Sequence, residues 1–219
     1  MTISNEFINK LTKEGLKKPF PRPHIVAIKW LVLMTIYFAV LVSFSGFRPD
    51  ILEKFNQSLY LIELFSMLLT AIVAAYAASF LALPDSNQKS WIRFLPFVPL
   101  AFLTGILVRG IYTSEALSLT ECLKLGYYQC ILHIMLYSIL PAVMMFYTIQ
   151  KAAPIKCCWA GSMAGLSVAS FGYVALRLIS KSDDPTLLLV WHFLPVLMIV
   201  MIGMILGKIF LGRIWYENR

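Results

Sequence analysis

Residues 30–47 read Trp-Leu-Val-Leu-Met-Thr-Ile-Tyr-Phe-Ala-Val-Leu-Val-Ser-Phe-Ser-Gly-Phe, a run without one charged side chain. A helix needs about 20 apolar residues to cross the hydrocarbon core of a bilayer. With its flanks the run covers about 26–46, enough for one crossing. It does not read as a cleaved signal peptide. It is long, it starts after a tail of 25 residues, and Ser43-Phe44-Ser45-Gly46-Phe47 offers no clear small-x-small cleavage site.

Working outward, five more stretches of the same kind follow, at about 59–83, 92–111, 125–149, 157–177 and 185–207. The third is the weakest, with its uncharged core running from Phe94 to Val108 before Arg109. Composition agrees with the spans. The chain has 219 residues, 59% hydrophobic and only 14% charged, with a mean hydropathy of +0.77. A soluble domain has roughly 45–50% apolar and about 25% charged residues. The excess cannot be hidden in one soluble core. An ordinary cytosolic enzyme, a secreted disulfide scaffold and a disordered tail are therefore excluded. The expected fold is all-α, a polytopic bundle of six transmembrane helices. Residues 1–24 form a tail, 25–212 the six-span unit and 213–219 a short carboxy-terminal tail.

The formal charge is +8, from 19 basic and 11 acidic residues. In a multi-pass protein such an excess reads as cytoplasmic anchoring rather than nucleic-acid binding. With the amino terminus inside, 13 basic residues fall on inner segments and 6 on outer ones. Lys10, Lys13, Lys17 and Lys18 of the tail dominate that count, so both termini are expected in the cytoplasm.

The tail carries its own pattern. Ser4 or Asn5 can cap a short helix, and Phe7, Ile8 and Leu11 then share a face. Gly15 can end it, and Pro19, Pro21 and Pro23 enforce an extended linker. So short a helix is marginal alone in water, and its apolar face needs a partner. Two partners fit equally: a groove on a cytoplasmic protein, or the anionic lipid surface beneath the lysines.

Inside the membrane, polar residues are the functional candidates. Glu63 lies near the outer end of the second span. His133 stands one turn after Cys130, and a thiolate with an imidazole suits a soft metal. Two ligands are not a site, and single Cys and His on apolar helices are more often packing residues. Cys122, Cys130, Cys157 and Cys158 show no CxxC and no paired zinc spacing, so no metal or other cofactor is expected. Gly161–Gly165 and Gly203–Gly207 are small-xxx-small patterns that predict close helix packing. Pro141 should kink the fourth span. Gly-Ser-Met-Ala-Gly at 161–165 has its serine in the wrong place for a nucleophile motif. No catalytic constellation assembles, so an enzyme is not expected.

The chain resembles the NrsF family of bacterial membrane anti-sigma factors over nearly its whole length. The likeness runs through Glu6-Phe7-Ile8 and Leu11 with the Pro19–Pro23 linker, then Arg48-Pro49-Asp50 and Leu61-Ile62-Glu63-Leu64. It continues through Ala82-Leu83-Pro84, Cys130, Pro141, Lys151-Ala152-Ala153-Pro154, Asp183-Asp184-Pro185 and Trp191-His192. The resemblance implies a regulator that holds an extracytoplasmic-function sigma factor at the inner membrane and releases it on an envelope, metal or oxidative signal. It assigns sigma binding to the tail, at Phe7, Ile8, Leu11 and Leu16, and sensing to the bundle. Some members use a pair of cysteines near the outer surface. One matches Cys130; the other falls near Ser180, which is serine here. Cys122, His133 and His192 are the remaining candidates for a partner to Cys130. The implied partners are the sigma factor, the lipid bilayer and a second copy of the chain, with no direct contact to nucleic acid.

A small transporter or channel subunit is the competing reading. Glu63, His133, His192 and the Pro141 kink support it. No pair of spans is broken at mid-membrane in matching halves, as transporter repeats often are.

Overall fold

The computed structural model describes residues 22–83, 91–113, 117–124, 128–150 and 156–211. These residues are helical, in the order α1 (Pro23–Ser45), α2 (Ile51–Lys54), α3 (Ser58–Leu81), α4 (Phe97–Thr113), α5 (Leu119–Lys124), α6 (Tyr128–Gln150), α7 (Cys157–Ile179) and α8 (Pro185–Leu211). A single turn at Trp91–Phe94 leads into α4. Six helices are long and apolar enough to cross a membrane: α1, α3, Trp91–Thr113, α6, α7 and α8. Their bounds agree with the expected spans to within four residues.

The arrangement follows from what each helix can bury. In lipid there is no hydrophobic force between helices, so close contact of small side chains and hydrogen bonds must hold them together. α7 is the least apolar and most buried of the six. It packs against α8, α3, α6 and α1. Its sequence from Ala160 to Ala175 is rich in Gly, Ala and Ser, nearly all buried. α3 meets it with Ala71, Ala74, Ala75 and Ala78, all fully buried. Ser167 donates its hydroxyl across this contact to the Ala71 carbonyl at 2.6 Å. α1 adds rings: Phe38 stacks on Phe171 with centroids 5.8 Å apart, and Trp30 meets Phe171 edge-on.

The two glycine patterns expected from sequence are halves of one seam. A Cβ on Gly203 would stand 2.6 Å from the Gly161 carbonyl oxygen, and one on Gly207 2.5 Å from that of Cys157. A Cβ on Gly165 would meet the Ile199 oxygen at 2.8 Å, and one on Gly161 would strike the Gly203 oxygen. Backbone therefore touches backbone along α7 and α8, and no side chain fits between them.

α4 is peripheral. It buries only Leu100, Leu103 and Leu107, one narrow stripe. Pro141 lies inside α6 on the buried face with Ile134, Ser138 and Met145. The opposite face of α6, with Leu132, Leu136, Ile139, Leu140 and Val143, is exposed and apolar, as a lipid-facing surface must be. α8 widens to π-helical turns at Leu188–Phe193 and Gly207–Leu211. The first stands directly before Pro195, which has no N–H to give the preceding turn.

Replacing Gly161 by alanine should lower stability by about 1–3 kcal/mol, since carbonyl and Cβ cannot share the space. Gly105→Ala, with nothing within 4 Å of the new methyl, should be neutral or stabilising. Thermal unfolding of both variants in the same detergent compares them. Equal melting points would mean the α7–α8 seam can slide apart without loss.

Candidate functional site

One cluster of charges stands out in this apolar bundle. It lies at the end where α1 stops, α3 starts and α7 stops. Gly46, at φ 82°, turns the chain out of α1 in a conformation that other residues rarely adopt. The Arg48 N–H then donates to the Leu178 carbonyl at 3.0 Å and ties this turn to the end of α7.

Arg48 is buried, 2% exposed, and sits between two carboxylates. Its Nε and Nη2 donate to Asp50 Oδ1 and Oδ2 at 2.8 and 2.7 Å. Its Nη1 and Nη2 donate to Asp183 Oδ1 and Oδ2 at 3.0 and 2.9 Å. Both contacts are bidentate, the strong geometry for this pair. Lys54 Nζ reaches Asp183 Oδ2 at 2.9 Å.

Arg177 continues the cluster into the bundle. Its Nε and Nη2 donate to Glu63 Oε1 and Oε2 at 2.7 and 3.0 Å. Its Nη1 donates to the Ser182 carbonyl at 2.7 Å and to Asp183 Oδ1 at 3.1 Å. The Tyr173 hydroxyl also donates to Glu63 Oε1. Tyr60 lies against both guanidinium groups, 4.8 Å from that of Arg177 and 5.8 Å from that of Arg48. Its hydroxyl donates to the Arg177 carbonyl at 3.0 Å. Three cations (Arg48, Lys54, Arg177) thus meet three anions (Asp50, Glu63, Asp183), and the cluster carries no net charge.

The outer members titrate accordingly. The Arg48 hydrogen bonds hold the Asp50 carboxyl below its ordinary value. Burial pushes the Asp183 carboxyl up, but Arg48, Lys54 and Arg177 reverse this and hold it well below the usual carboxylate range. Arg48 is bound more firmly to its proton by the hydrogen bonds it donates to Asp50 and Asp183. A cavity of about 200 Å³ lies beside the cluster, bounded by Lys54, Gln57, Tyr60, Ile106, Gly110 and Pro185.

Chemically this is a clasp rather than a reaction centre. Every carboxylate is engaged by a cation, and no free nucleophile or base faces the cavity among its lining groups. It joins α1, α3, α7 and the start of α8 at one end of the bundle.

The residues singled out by sequence fall in separate places. His192 is buried beside Tyr173, ring centroids 6.1 Å apart. His133 is on the exposed face of α6, with Nδ1 2.6 Å from its own Gln129 carbonyl. Cys130 is half-buried against the core. Cys122 is fully buried on α5, where its carbonyl accepts from Trp191 Nε1 at 3.2 Å. Burial pushes the Cys122 thiol up. Ser180 accepts from the Ser182 N–H at 3.3 Å. Cys122, Cys130 and Cys158 are free thiols. Among the described residues, no three His, Cys, Asp or Glu side chains gather to hold a metal. Phe7, Ile8, Leu11 and Leu16 lie outside the described residues.

Sequence reasoning pointed to Glu63 but missed Arg177, Arg48 and Asp183 as its neighbours in the clasp. The available signal was charge at the ends of spans: in an apolar chain each such residue needs an opposite partner at the same depth.

Compared with known proteins, residues 16–212 match the family model described as "NrsF: Negative regulator of sigma F". No curated protein and no solved structure matches the chain.

Arg177→Met should cost about 3–5 kcal/mol, because it leaves Glu63 buried and unpaired. Pairing it with Glu63→Met should recover most of the loss. A double-mutant cycle read by thermal unfolding checks this, and a double variant as unstable as the single one would refute it. The acid response has a definite sign. The depressed Asp183 contributes stability above the unfolded carboxyl value near 3.9, and loses it as pH falls toward its folded value. The melting-point gap between the natural chain and Asp183→Asn should hold constant from pH 8 to 5 and close below about pH 4.

Proposed function

This chain belongs to the NrsF family, negative regulators of sigma F, and we propose that it is an anti-sigma factor anchored in the bacterial cytoplasmic membrane. In this reading the tail holds an extracytoplasmic-function sigma factor away from RNA polymerase. The six-helix bundle anchors the tail and receives the signal. The observation that carries the reading is the family match over residues 16–212, nearly the whole of a chain with six apolar helices.

The orientation we propose places both termini in the cytoplasm and the Arg48–Asp183 clasp outside. The excess of Lys and Arg on the tail and inner loops supports it. The tail then offers Phe7, Ile8, Leu11 and Leu16 to the sigma factor by the helix-in-groove mode. Signal reading is assigned to Cys130, with Cys122, His133 and His192 as its candidate companions. The clasp supplies the two-state element: engaged, it ties four helices at their outer end; released, it frees them. A signal can shift that balance only by favouring one state over the other. Transport is the weaker reading, because Glu63, the one acid within the described spans, is already paired with Arg177. Glu63 accepts from Arg177 and Tyr173 and offers no open position to a passing ion.

Co-purification from detergent-solubilised bacterial membranes tests the reading. A sigma factor should accompany the full chain and be lost from one lacking residues 1–18. Leu11→Asp alone should also release it, since a bare charge does not fit an apolar groove. Retention of the sigma factor by both variants would move the interface to the inner loops. Its absence from the full chain in unstressed cells would overturn the anti-sigma reading.

A further inference from the structure

The segment between α4 and α6 contains a helix with a start signal of its own. The Ser118 N–H donates to Glu121 Oε2 at 3.0 Å, and the Glu121 N–H donates to Ser118 Oγ at 3.3 Å. This reciprocal pair is a capping box, and it opens α5. At roughly 100° per residue, Leu119 and Leu123 fall on one side, Glu121 on the opposite side and Cys122 between. Exposure follows that wheel. Leu119 is 59% and Leu123 56% exposed, while Cys122 is fully buried.

Two hydrogen bonds strap this segment to α8. The Leu117 N–H donates to Asp184 Oδ2 at 3.0 Å, and Trp191 Nε1 donates to the Cys122 carbonyl at 3.2 Å. Asp184 is also the cap of α8, accepting from the Thr186 and Leu187 N–H groups through Oδ1. Its sequence neighbour, Asp183, is the carboxylate that the clasp shares among Arg48, Lys54 and Arg177. The strap and the clasp therefore meet at adjacent residues.

The topology says what covers the two leucines. Thr113 ends one span and Tyr128 begins the next, so α5 stays within a few residues of the bilayer surface. Two leucines offer far less than the roughly 800 Å² per partner of a stable protein interface. An apolar edge held at that depth, with the polar Thr120 and Glu121 turned away from it, suits a seat ~5–10 Å into the headgroup boundary.

We infer that α5 seats Leu119 and Leu123 in the outer boundary layer of the lipid bilayer, and that the 117–124 strap passes the packing of that layer to Asp184 and the clasp. The regulatory half of this inference, and the choice of the outer layer, rest on the proposed reading and orientation; the seating in lipid does not. Intact lipid holds α5 in place and its two hydrogen bonds intact. When the outer layer is thinned or disordered, the leucines lose their support, the strap lifts, and the cap at Asp184 slackens beside Asp183.

The test uses the full chain in phosphatidylethanolamine–phosphatidylglycerol nanodiscs. Leu123→Cys and Thr120→Cys, each with the four native cysteines changed to alanine, are labelled with the fluorophore NBD. The label at 123 should be quenched by nitroxide on lipid chains and shielded from aqueous iodide, and the label at 120 should show the reverse. If the cysteine-free background does not fold, p-benzoyl-phenylalanine at 123 and 120 of the native chain replaces it, read as lipid adducts by mass. Iodide quenching at 123, or no lipid adduct there, overturns the seating. For the regulatory half, Leu119→Glu with Leu123→Glu should raise a sigma-dependent reporter toward the level of cells lacking the protein. A silent double variant, in cells where Leu11→Asp does raise the reporter, removes the strap from the signal path. If Leu11→Asp is silent too, the anti-sigma reading fails, and with it the regulatory half, while the quenching result still decides the seating.

Discussion

A guanidinium and a carboxylate cannot both sit inside an apolar bundle unless each satisfies the other, and the Arg177–Glu63 pair is where this chain meets that requirement. The geometry needs α3 and α7 at a fixed depth and a fixed rotation. Once they are set, the Tyr173 and Tyr60 hydroxyls and the Ser182 carbonyl fall into place around the same two side chains. Arg48, Lys54, Asp50 and Asp183 extend the arrangement to the surface at the same end. Ion pairs of this kind add little net stability over well-packed apolar residues, but breaking one partner is expensive. They therefore specify one helix arrangement against its near neighbours, which a contact between two smooth apolar faces does not.

The opposite constraint acts along the rest of α7. There the chain removes side chains altogether. Gly161, Gly165, Gly203 and Gly207 let two backbones touch, and the alanines of α3 do nearly the same on the other flank. A helix held so closely along its length cannot shift by small degrees. Its charged end is held by pairs that either form or do not. A rigid shaft with a breakable fastening at one end is a physical basis for a two-state bundle.

Much of this was legible in the sequence. Hydropathy alone places the six spans, because 20 apolar residues have few other uses. The small-xxx-small patterns mark the faces that touch, although only the structure shows that Gly161–Gly165 and Gly203–Gly207 face each other. The clasp was not legible as a unit. Glu63 and Arg177 are 114 residues apart, and nothing in the chain states which span ends are neighbours. Arg48-Pro49-Asp50 and Asp183-Asp184-Pro185 stood out only as short motifs. The α5 strap was missed because six residues are too few for periodicity to register, and its real signal was the Ser118–Glu121 spacing. Cys130, His133 and His192 looked alike in sequence, yet one is half-buried, one faces outward and one lies in the core.

The separation of Glu63 from Arg177 also sets an order of events during biogenesis. Chains are made at about 5–20 residues per second, so the carboxylate is synthesised roughly 6–23 s before its arginine. Arg48 waits longer still for Asp183. The hub helix is the fifth span of six, so the first four enter the bilayer before the surface that will gather them has been translated. All five other spans are more apolar than α7, so each of the four made before it can rest in lipid without its partner. Final assembly is thereby deferred to the end of translation, and a chain cut short before residue 157 would keep the packing of α3 on α1 and α4 but lack the helix that gathers the bundle.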